Sequence, residues 1–391
     1  MKFNIRDFDK VYNRRDTNSL KWDSYPKSDL PMWVADMDFK CPEDILKELE
    51  LVVKQGILGY PLLEDARYFR SVINWFNNYH NINIDRENII PVIGVMSALN
   101  SIIEEFTNEN DTIVIQSPVY FGIINEINFY KRNLVYSLLN YNEDEGYTMD
   151  YSHLNELKKV KPKLLILCSP HNPVGRVWSK RELEKIGDFC LENNVLLVVD
   201  EIHCDLILEK FNFTSYASLD QKYLKNTIIM NSSTKTFNIA GLRGGNVFVF
   251  DKKIKDTLTM RFNHYGLSKL NSFFVAATIV GYSSCRSWHE LLLKYINQNY
   301  QFVRNFIKNE IPTLKVSPLE GTYLVWINYQ QLNIPESIFF KELEKNIIVA
   351  KGSEFGPGGE GFFRINIACP LDTLKEAFHF LKIHINSFKF L

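Results

Sequence analysis

The chain has 391 residues, of which 46% are hydrophobic, and its 45 basic residues nearly balance 46 acidic ones to give a formal net charge of −1. A chain of this length usually folds as two domains, and this apolar content is enough for a large core. The balanced charge provides no general attraction to nucleic acid or to an anionic membrane, so we expect neither as a partner.

The cysteines and the N-terminal residues favour a reduced, cytoplasmic protein. None of the six cysteines forms a C-x-x-C pair, and a chain of this size needs no disulfides for stability. The opening "MKFNIRDFDKVYNRR" carries charges every few residues and has no apolar core, so we expect no signal peptide. The longest apolar runs, such as residues 195–199, are far too short to span a bilayer.

Short apolar runs alternate with amphipathic stretches along the first three quarters of the chain. The runs, which predict buried strands, are residues 89–93, 112–116, 134–138, 164–168, 195–199, 227–230 and 247–250. Between them, "SALNSIIEEFTN", "YSHLNELKKV" and "SKRELEKIGDFCLENN" predict helices. This alternation is typical of a mainly parallel sheet with helices on both faces, which binds ligands at the carboxyl ends of its strands.

The pattern changes after about residue 285. A long helical stretch, "SWHELLLKYINQNYQFVRNFIKNE", leads to "VSPLEGTYLVWINY", a further helix and the strand-like "GFFRINIAC". We interpret this region as a second, smaller α+β domain. The predicted division is a large domain over residues 31–285 and a small domain formed by residues 1–30 and 286–391.

Polar residues follow several of the predicted strands. Gly94 opens a helix whose N-terminus would suit a phosphate, and Tyr120 follows the next strand. Asn172 lies in the turn "SPHNPVGRVW". Asp200, at the end of a five-residue apolar run, would be costly to bury without a partner. We therefore expect chemistry at this edge of the sheet.

The stretch "NSSTKTFNIAGLRGG" follows the strand at 227–230 and sets Lys235 among hydroxyl side chains and glycines. A lysine, a carboxylate, an amide, an imidazole and a phenol beside phosphate-binding groups are used together in pyridoxal 5′-phosphate (PLP) chemistry. There a lysine forms a Schiff base with the cofactor, and a carboxylate keeps the ring nitrogen protonated. The sequence therefore predicts a PLP enzyme.

The motif set resembles the fold-type I PLP enzymes of the aminotransferase class I/II superfamily over nearly the whole chain. Within it, "MWVADMDF", "GYP", "SPHNPVGRVW", "DEIHCDL" and "GTYLVW" are more similar to the cystathionine β-lyase (C–S lyase) branch than to a typical aspartate aminotransferase. The resemblance implies an α/β, PLP-dependent transferase-like fold with a seven-stranded, mainly parallel sheet in the large domain.

The resemblance also implies a role for each motif residue. Lys235 would form the Schiff base and act as the base, and Asp200 would pair with the ring nitrogen. Arg364 would bind the substrate carboxylate in a bidentate pair. Asn172 and His203 would contact the ring hydroxyl of the cofactor, and Tyr120 would stack on the ring and take part in catalysis. The phosphate would be bound by Ser232, Arg243 and the N–H groups of Val95 and Met96. Tyr60 of a neighbouring subunit would provide a further contact with the cofactor.

His203 departs from many family transaminases, which carry tyrosine at this place, and agrees with the lyase branch. The expected activity is therefore α,β-elimination from cystathionine or a related cysteine S-conjugate, giving a thiol, pyruvate and ammonia. The expected partners are a small amino-acid substrate and a second copy of the chain, with Tyr60 crossing the interface of a homodimer. An aminotransferase, or a lyase with an added regulatory role, is the alternative.

Two other classes of site compete for the same residues. The Ser232-x-x-Lys235 spacing also occurs in serine–lysine acyl enzymes, but the S-D-N and K-T-G elements that accompany it there are absent from this sequence. His171, Asp200, Glu201 and His203 would supply mixed nitrogen and oxygen ligands for a metal. That arrangement would leave Lys235 and the glycine turns unexplained, so we expect no metal.

Overall fold

The computed structural model describes residues 3–27, 29–62 and 64–388. Its strands are β1 Leu30–Pro31, β2 Ile89–Val92, β3 Thr112–Ser117, β4 Asn133–Asn142, β5 Gly146–Met149, β6 Leu164–Cys168, β7 Leu196–Asp200, β8 Thr227–Asn231, β9 Gly245–Val249, β10 Lys315–Val316, β11 Leu324–Asn328, β12 Ile347–Ile348, β13 Ala350–Lys351 and β14 Phe362–Asn366.

The helices are α1 Leu20–Asp23, α2 Glu43–Gln55, α3 Ala66–Tyr79, α4 Val95–Phe106, α5 Phe121–Phe129, α6 Tyr151–Glu156, α7 Lys180–Glu192, α8 Gln221–Leu224, α9 Ser233–Thr236, α10 Lys252–His264, α11 Ser272–Ser284, α12 Arg286–Glu310, α13 Glu336–Leu343 and α14 Leu371–Ser387. Short 3₁₀ helices span Ile5–Asp9, Arg86–Asn88, Leu157–Val160, Tyr216–Ser218, Ala240–Leu242, Gln330–Leu332 and Gly352–Phe355.

The larger sheet has eight strands in the order β2-β9-β8-β7-β6-β3-β4-β5 among the described residues. The five strands from β8 to β4 are mutually parallel, while β9 and β2 at one end and β5 at the other run antiparallel to their neighbours. The α/β fold class is confirmed, with one strand more than the seven expected. The additional strand, β5, has only four residues, too few for a hydrophobic period to be recognised.

Both faces of this sheet are buried. In β3, Ile113 and Ile115 belong to one hydrophobic core and Val114 to another, because successive side chains of a strand point to opposite faces. The same alternation continues through β6 and β7. This two-sided burial explains why the strands read as continuous apolar runs rather than as alternating ones.

Helix ends follow local sequence signals. Helix α7 begins after a capping box in which the Glu182 N–H donates to Ser179 Oγ at 3.3 Å and the Ser179 N–H donates to the Glu182 carboxylate at 2.8 Å. Helix α4 instead begins after Gly94, which offers no side-chain cap. The third N–H group of α4 therefore stays without a cap, whereas the corresponding group of α7 is satisfied by Ser179.

The register of the parallel strands aligns the ends of β6, β7 and β8. Cys168 lies opposite Asp200, and Asp200 lies opposite Met230. The residues that follow these strands therefore emerge at one edge of the sheet, as the sequence predicted. Lys235 follows β8 in the single helical turn of α9, which places it at this edge.

A second, four-stranded antiparallel sheet has the order β10-β11-β14-β13. Arg364 lies in its strand β14, between Trp326 of β11 and Ala350 of β13. Near the N-terminus, β1 pairs in parallel with β12 and so joins the two ends of the chain. The predicted domain limits, 31–285 against 1–30 and 286–391, stay a prediction.

No helix in the described part of the chain combines the length and the apolar character that crossing a bilayer requires.

Candidate active site

A cavity of about 840 Å³ opens where the carboxyl edge of the larger sheet faces the smaller sheet. Most of the residues singled out from the sequence line it. These are Val95, Met96, Tyr120, Asn172, Asp200, His203, Lys235, Arg243 and Arg364. Two are absent from its wall, Ser232 and Tyr60.

Lys235 reaches into the cavity from α9, where it follows the N-cap residue Ser232. Its Nζ donates a hydrogen bond to the Ala35 carbonyl oxygen at 2.6 Å. Burial lowers the pKa of this amine to about 8, with Arg364 adding to the effect and Asp36 and Asp200 opposing it. A substantial fraction of Lys235 is therefore uncharged near neutral pH, as a nucleophilic or basic amine must be.

Asp200 ends β7 and is only 7% exposed. Among the described residues, the one hydrogen bond to its carboxylate comes from the Ile202 N–H at 3.1 Å. Burial raises its pKa to about 6, while that hydrogen bond and the charge of Lys235 oppose the rise. The carboxylate is therefore poorly compensated and would be stabilised by a cationic partner in the cavity.

His203 lies beside Asp200 on the cavity wall and is almost entirely buried. Its Nδ1 has no hydrogen-bond partner within the described residues. Burial lowers the pKa of the imidazole to about 3, and the charges of Lys235 and Arg364 contribute. The ring is therefore neutral at physiological pH, with one nitrogen left free for a ligand.

Arg364 is held rigidly on the opposite wall. Its Nη1 donates to Asn172 Oδ1 at 2.8 Å, and its Nη2 donates to the Trp33 carbonyl oxygen at 2.7 Å. The guanidinium also lies 4.9 Å from the centre of the Phe355 ring. Its Nε has no partner in the part of the chain that the structure describes. Burial lowers its pKa to about 10, which leaves it positively charged and suited to a carboxylate.

Tyr120 is the N-cap residue of α5 and borders the cavity. Its ring passes so close to Gly122 that a Cβ added there would lie 2.4 Å from ring atom Cε1. Glycine at 122 therefore permits the position of the tyrosine ring. This aromatic side chain offers a flat surface on the side of the cavity that α4 also borders.

An anion site is formed at the N-terminus of α4. The first hydrogen bond of this helix joins the Ala98 N–H to the Gly94 carbonyl at 3.0 Å, so the N–H groups of Val95, Met96 and Ser97 have no acceptor inside the helix. All three residues border the cavity. Together with the positive end of the helix dipole they suit a phosphate.

Ser232 and Thr234 differ in a way that the sequence did not reveal. Ser232 Oγ donates to the Gly244 carbonyl at 2.7 Å and lies 2.8 Å from Thr234 Oγ1, so its hydroxyl is already satisfied. Thr234 borders the cavity beside Lys235. Arg243, whose side chain is exposed, borders it as well. Thr234 is thus better placed in this chain than Ser232 to meet an anion.

Tyr60 lies far from any described partner. It is fully exposed, at 101% of its reference area, within a segment that also exposes Ile57, Leu58 and Leu62. The side chain therefore contributes nothing to the cavity of its own chain. The segment therefore exposes several large apolar side chains close together in the sequence.

Backbone groups of the segment after β1 are site features that the sequence analysis missed. Ala35 accepts hydrogen bonds from Lys235 and, at 3.0 Å, from the Tyr323 hydroxyl, while Trp33 accepts one from Arg364. Asn366 holds this segment by donating to the carbonyls of Val34 and Asp36 at 2.7 and 2.8 Å. The motif "WVADMDF" contains this segment, but the hydrogen bonds that its carbonyl groups accept cannot be recognised from residue type.

The metal alternative is not supported by the geometry. Within the described residues, the one group of three or more side chains whose ligand atoms lie within 4.8 Å of one another is His80, Cys204 and Asp205. This group contains none of the four residues that the sequence suggested as metal ligands. His171 is used elsewhere, because its Nε2 lies 2.8 Å from the Pro118 carbonyl oxygen.

The chain is similar to known proteins over nearly its whole length. The aminotransferase class I and II family matches residues 32–381, and the chain belongs to that family. It is 34% identical to the cystathionine beta-lyase PatB of Bacillus subtilis, over 96% of this chain and 98% of that protein.

Among solved structures, cystalysin from Treponema denticola, which contains PLP, has a TM-score of 0.92 and 32% identity over 97% of this chain and 98% of that one. A PLP-bound protein from Clostridium difficile 630 has a TM-score of 0.93 and 40% identity, over 97% of this chain and 99% of that chain.

The residues of this chain fit PLP on their own chemistry. An amine that is partly uncharged near neutral pH, a poorly compensated carboxylate, an imidazole nitrogen without a partner among the described residues and a helix N-terminus with free N–H groups border one cavity. Lys235 and Asp200 would hold the aldehyde carbon and the ring nitrogen, respectively. His203 would face the ring, and the start of α4 with Thr234 would hold the phosphate.

Proposed function

We propose that this protein is a PLP-dependent carbon–sulfur lyase that cleaves cystathionine or a related cysteine S-conjugate. The observation that carries the proposal is the placement of the Lys235 amine, the Asp200 carboxylate and the Arg364 guanidinium around one cavity, with pKa values near 8, 6 and 10. These are the base, the electrostatic partner and the anion receptor that the reaction needs.

Each side chain has a defined task. Arg364 binds the substrate α-carboxylate and fixes the amino acid relative to Lys235. PLP, when bound, accepts the electron pair left at Cα when its proton is removed. Lys235 takes that proton on Nζ, and the negative charge of Asp200 keeps the ring nitrogen protonated. The Tyr120 ring forms part of the wall of the site.

The overall reaction is balanced without an oxidant or a reductant. Loss of the Cα proton and of the thiolate from Cβ breaks the C–S bond, and the thiolate leaves as a thiol. Water then replaces nitrogen on the remaining three-carbon unit, giving pyruvate and ammonia. Each thiol released therefore accompanies one pyruvate and one ammonia.

The charges of the cavity favour elimination over transamination. A transaminase that uses an acidic oxo acid needs a cation for its second carboxylate. Arg243 and Arg364 are the arginines among the described cavity residues, and both have tasks, at the phosphate and at the α-carboxylate. The cavity is also bordered by Glu344, Lys351 and Glu354. Glu344 pairs with Lys351 at 3.0 Å, so Glu354 leaves a net negative charge that repels an acidic side chain.

The test is a product assay with cystathionine in the absence of an oxo acid. We expect steady multiple turnover with one pyruvate per thiol. A single turnover that stops with pyridoxamine phosphate on the protein, and resumes only with 2-oxoglutarate, would identify an aminotransferase instead. Absence of both reactions would refute the proposed class.

We further propose a homodimer in which Tyr60 completes the phosphate site of the neighbouring subunit. Its full exposure and its apolar neighbours Ile57, Leu58 and Leu62 support this arrangement. Tyr60→Phe should weaken PLP binding without changing the dimer. Sedimentation that finds a fully active monomer at assay concentration would exclude the proposal.

We also place the protein in the cytoplasm. The cysteines are all unpaired in the structure, and five of the six are buried. Buried free thiols are compatible with a reducing compartment. Fractionation of cells carrying a tagged copy tests the assignment, and recovery outside the cytoplasm would contradict it.

A further inference from the structure

Three charged side chains on the cavity wall have no task in the proposed reaction. Glu344 follows α13, Lys351 lies in β13, and Glu354 lies in the adjoining 3₁₀ helix Gly352–Phe355. Lys351 Nζ lies 3.0 Å from Glu344 Oε1. Within the described residues Glu354 forms neither a hydrogen bond nor an ion pair, so the three groups leave one negative charge available there.

The surroundings of Glu354 favour a cationic ligand. Partial burial raises the pKa of its carboxyl, and the nearby charges of Lys351 and Arg364 oppose the rise. The Glu354 side chain is still exposed, so a ligand can reach its carboxylate, which lies within electrostatic range of Arg364, the predicted α-carboxylate receptor. Tyr25 borders the same cavity and packs against Trp33 with ring centres 5.7 Å apart. A carboxylate near an aromatic ring is a common setting for an ammonium group.

The position of the reacting atoms determines which part of the substrate meets this wall. In the proposed β-elimination, Arg364 holds the α-carboxylate and Lys235 must reach the Cα proton. Both groups lie at the inner end of the substrate. The sulfur and the leaving group then occupy the remaining cavity, whose wall includes Tyr25 and Glu354.

We propose that Glu354 is a specificity residue that selects cysteine thioethers whose leaving thiol carries an ammonium group. The inference rests on the proposed lyase function and adds the charge class of the leaving group. Because Glu344 neutralises Lys351, the charge of Glu354 remains available to the substrate. Thioethers with a neutral leaving group lack this contact, and those with an anionic one are repelled.

The test compares two substrates of the same shape and different charge, S-(2-aminoethyl)-L-cysteine and S-propyl-L-cysteine. The native holoenzyme should prefer the aminoethyl compound. Glu354→Gln should lower kcat/KM for that compound roughly tenfold, mainly through KM, because a hydrogen bond to a charged group is lost. Its kcat/KM for the propyl compound should stay within about twofold.

Glu336→Gln is the matched control. Glu336 is a nearby, partly exposed carboxylate that accepts a hydrogen bond from Ser353 Oγ at 2.6 Å and does not border the cavity. This variant should leave the preference between the two substrates unchanged. Glu354→Lys should reverse the preference and favour S-(2-carboxyethyl)-L-cysteine.

Equilibrium dialysis separates this inference from the proposed function. L-lysine has the shape and charge of the aminoethyl substrate but no sulfur, and L-2-aminoheptanoate is its neutral counterpart. The native holoenzyme should bind L-lysine more tightly, and Glu354→Gln should remove the difference. Failure of the native protein to release pyruvate from either thioether would refute the lyase, while the dialysis result would still decide the role of Glu354. The inference would be overturned if Glu354→Gln lowered kcat/KM equally for both thioethers, or lowered it for neither.

Discussion

The segment from Asp200 to Asp205 presents two contrasting sets of ionisable side chains. Asp200 and His203 face the cavity, where the first accepts one hydrogen bond and the second has a nitrogen without a partner among the described residues. Glu201 and Asp205 face the protein interior and are fully engaged. Glu201 accepts hydrogen bonds from Ser215 Oγ at 2.8 Å and from the Tyr216 N–H at 2.6 Å.

Asp205 is the centre of a buried network behind the cavity. Its Oδ1 accepts from Trp75 Nε1 at 2.9 Å and lies 2.6 Å from His80 Nε2, while its Oδ2 accepts from Thr236 Oγ1 at 2.5 Å. Thr236 follows Lys235 in α9, so the network joins α3 and the segment after β7 to the helix that carries the lysine. Burial would raise the pKa of Asp205, but these partners lower it overall.

The difference in hydrogen bonding distinguishes side chains that would bind a ligand from side chains that stabilise the fold. Buried polar groups in folded proteins are nearly always hydrogen-bonded, so the incomplete bonding of Asp200 and His203 indicates the place of a ligand. The complete bonding of Asp205 and Glu201 indicates that they fix the segment in position. Substitutions on the two faces should therefore change different measurements.

The largest effect should follow Lys235→Ala. The variant loses nucleophile and base together, so turnover should fall by about 10⁴-fold or more. Pyruvate release measures the activity, and mass spectrometry after borohydride reduction should no longer find cofactor attached at position 235. A purified variant with normal turnover would remove the basis of the proposed function.

Asp205→Ala should have the next largest effect, and on stability. Removing one member of a buried, charged hydrogen-bond network leaves its partners unpaired and typically costs about 3–5 kcal/mol. Denaturant unfolding of the apoprotein measures the loss. Asp205→Asn is the control, because it retains an acceptor oxygen and should lose less. Equal stability of Asp205→Ala and the native protein would contradict the supporting role.

Asp200→Asn should show the opposite profile. It removes the charge that stabilises a protonated ring nitrogen, so kcat should fall by about 10²–10³-fold. The apoprotein should unfold at the same denaturant concentration or a slightly higher one, because a buried carboxylate with a single hydrogen bond is itself costly. A variant with native turnover, or with a stability loss like that of Asp205→Ala, would erase the contrast between the two faces.

The sequence predicted much of this site because its main groups follow apolar strands. Asp200, Asn172 and Lys235 were recognisable since each strand is a continuous hydrophobic run that ends at a polar residue. The placement of Thr234 rather than Ser232 on the cavity was not recognisable, because α9 is a single turn and its orientation depends on the hydrogen bond from Ser232 to Gly244. Backbone acceptors such as the Ala35 carbonyl leave no trace in residue type.

The smallest predicted effect concerns pH and the apoprotein. Lys235 must be uncharged to react with the cofactor aldehyde, and its pKa is lowered to about 8. With such a pKa about one tenth of the amines are uncharged at pH 7, against fewer than about one in a thousand for an ordinary lysine. The rate of PLP capture, followed by absorbance, should therefore rise about tenfold per pH unit below pH 8 and level off above it.

Neighbouring charges should move this profile in opposite directions. Arg364 lowers the pKa of Lys235 and Asp36 raises it. Arg364→Gln should therefore shift the capture profile to higher pH, and Asp36→Asn should shift it to lower pH. Since neither variant removes the amine, both should reach a plateau. A profile that stays in place in both variants, or that keeps rising toward pH 10, would mean that the cavity does not set the ionisation of Lys235.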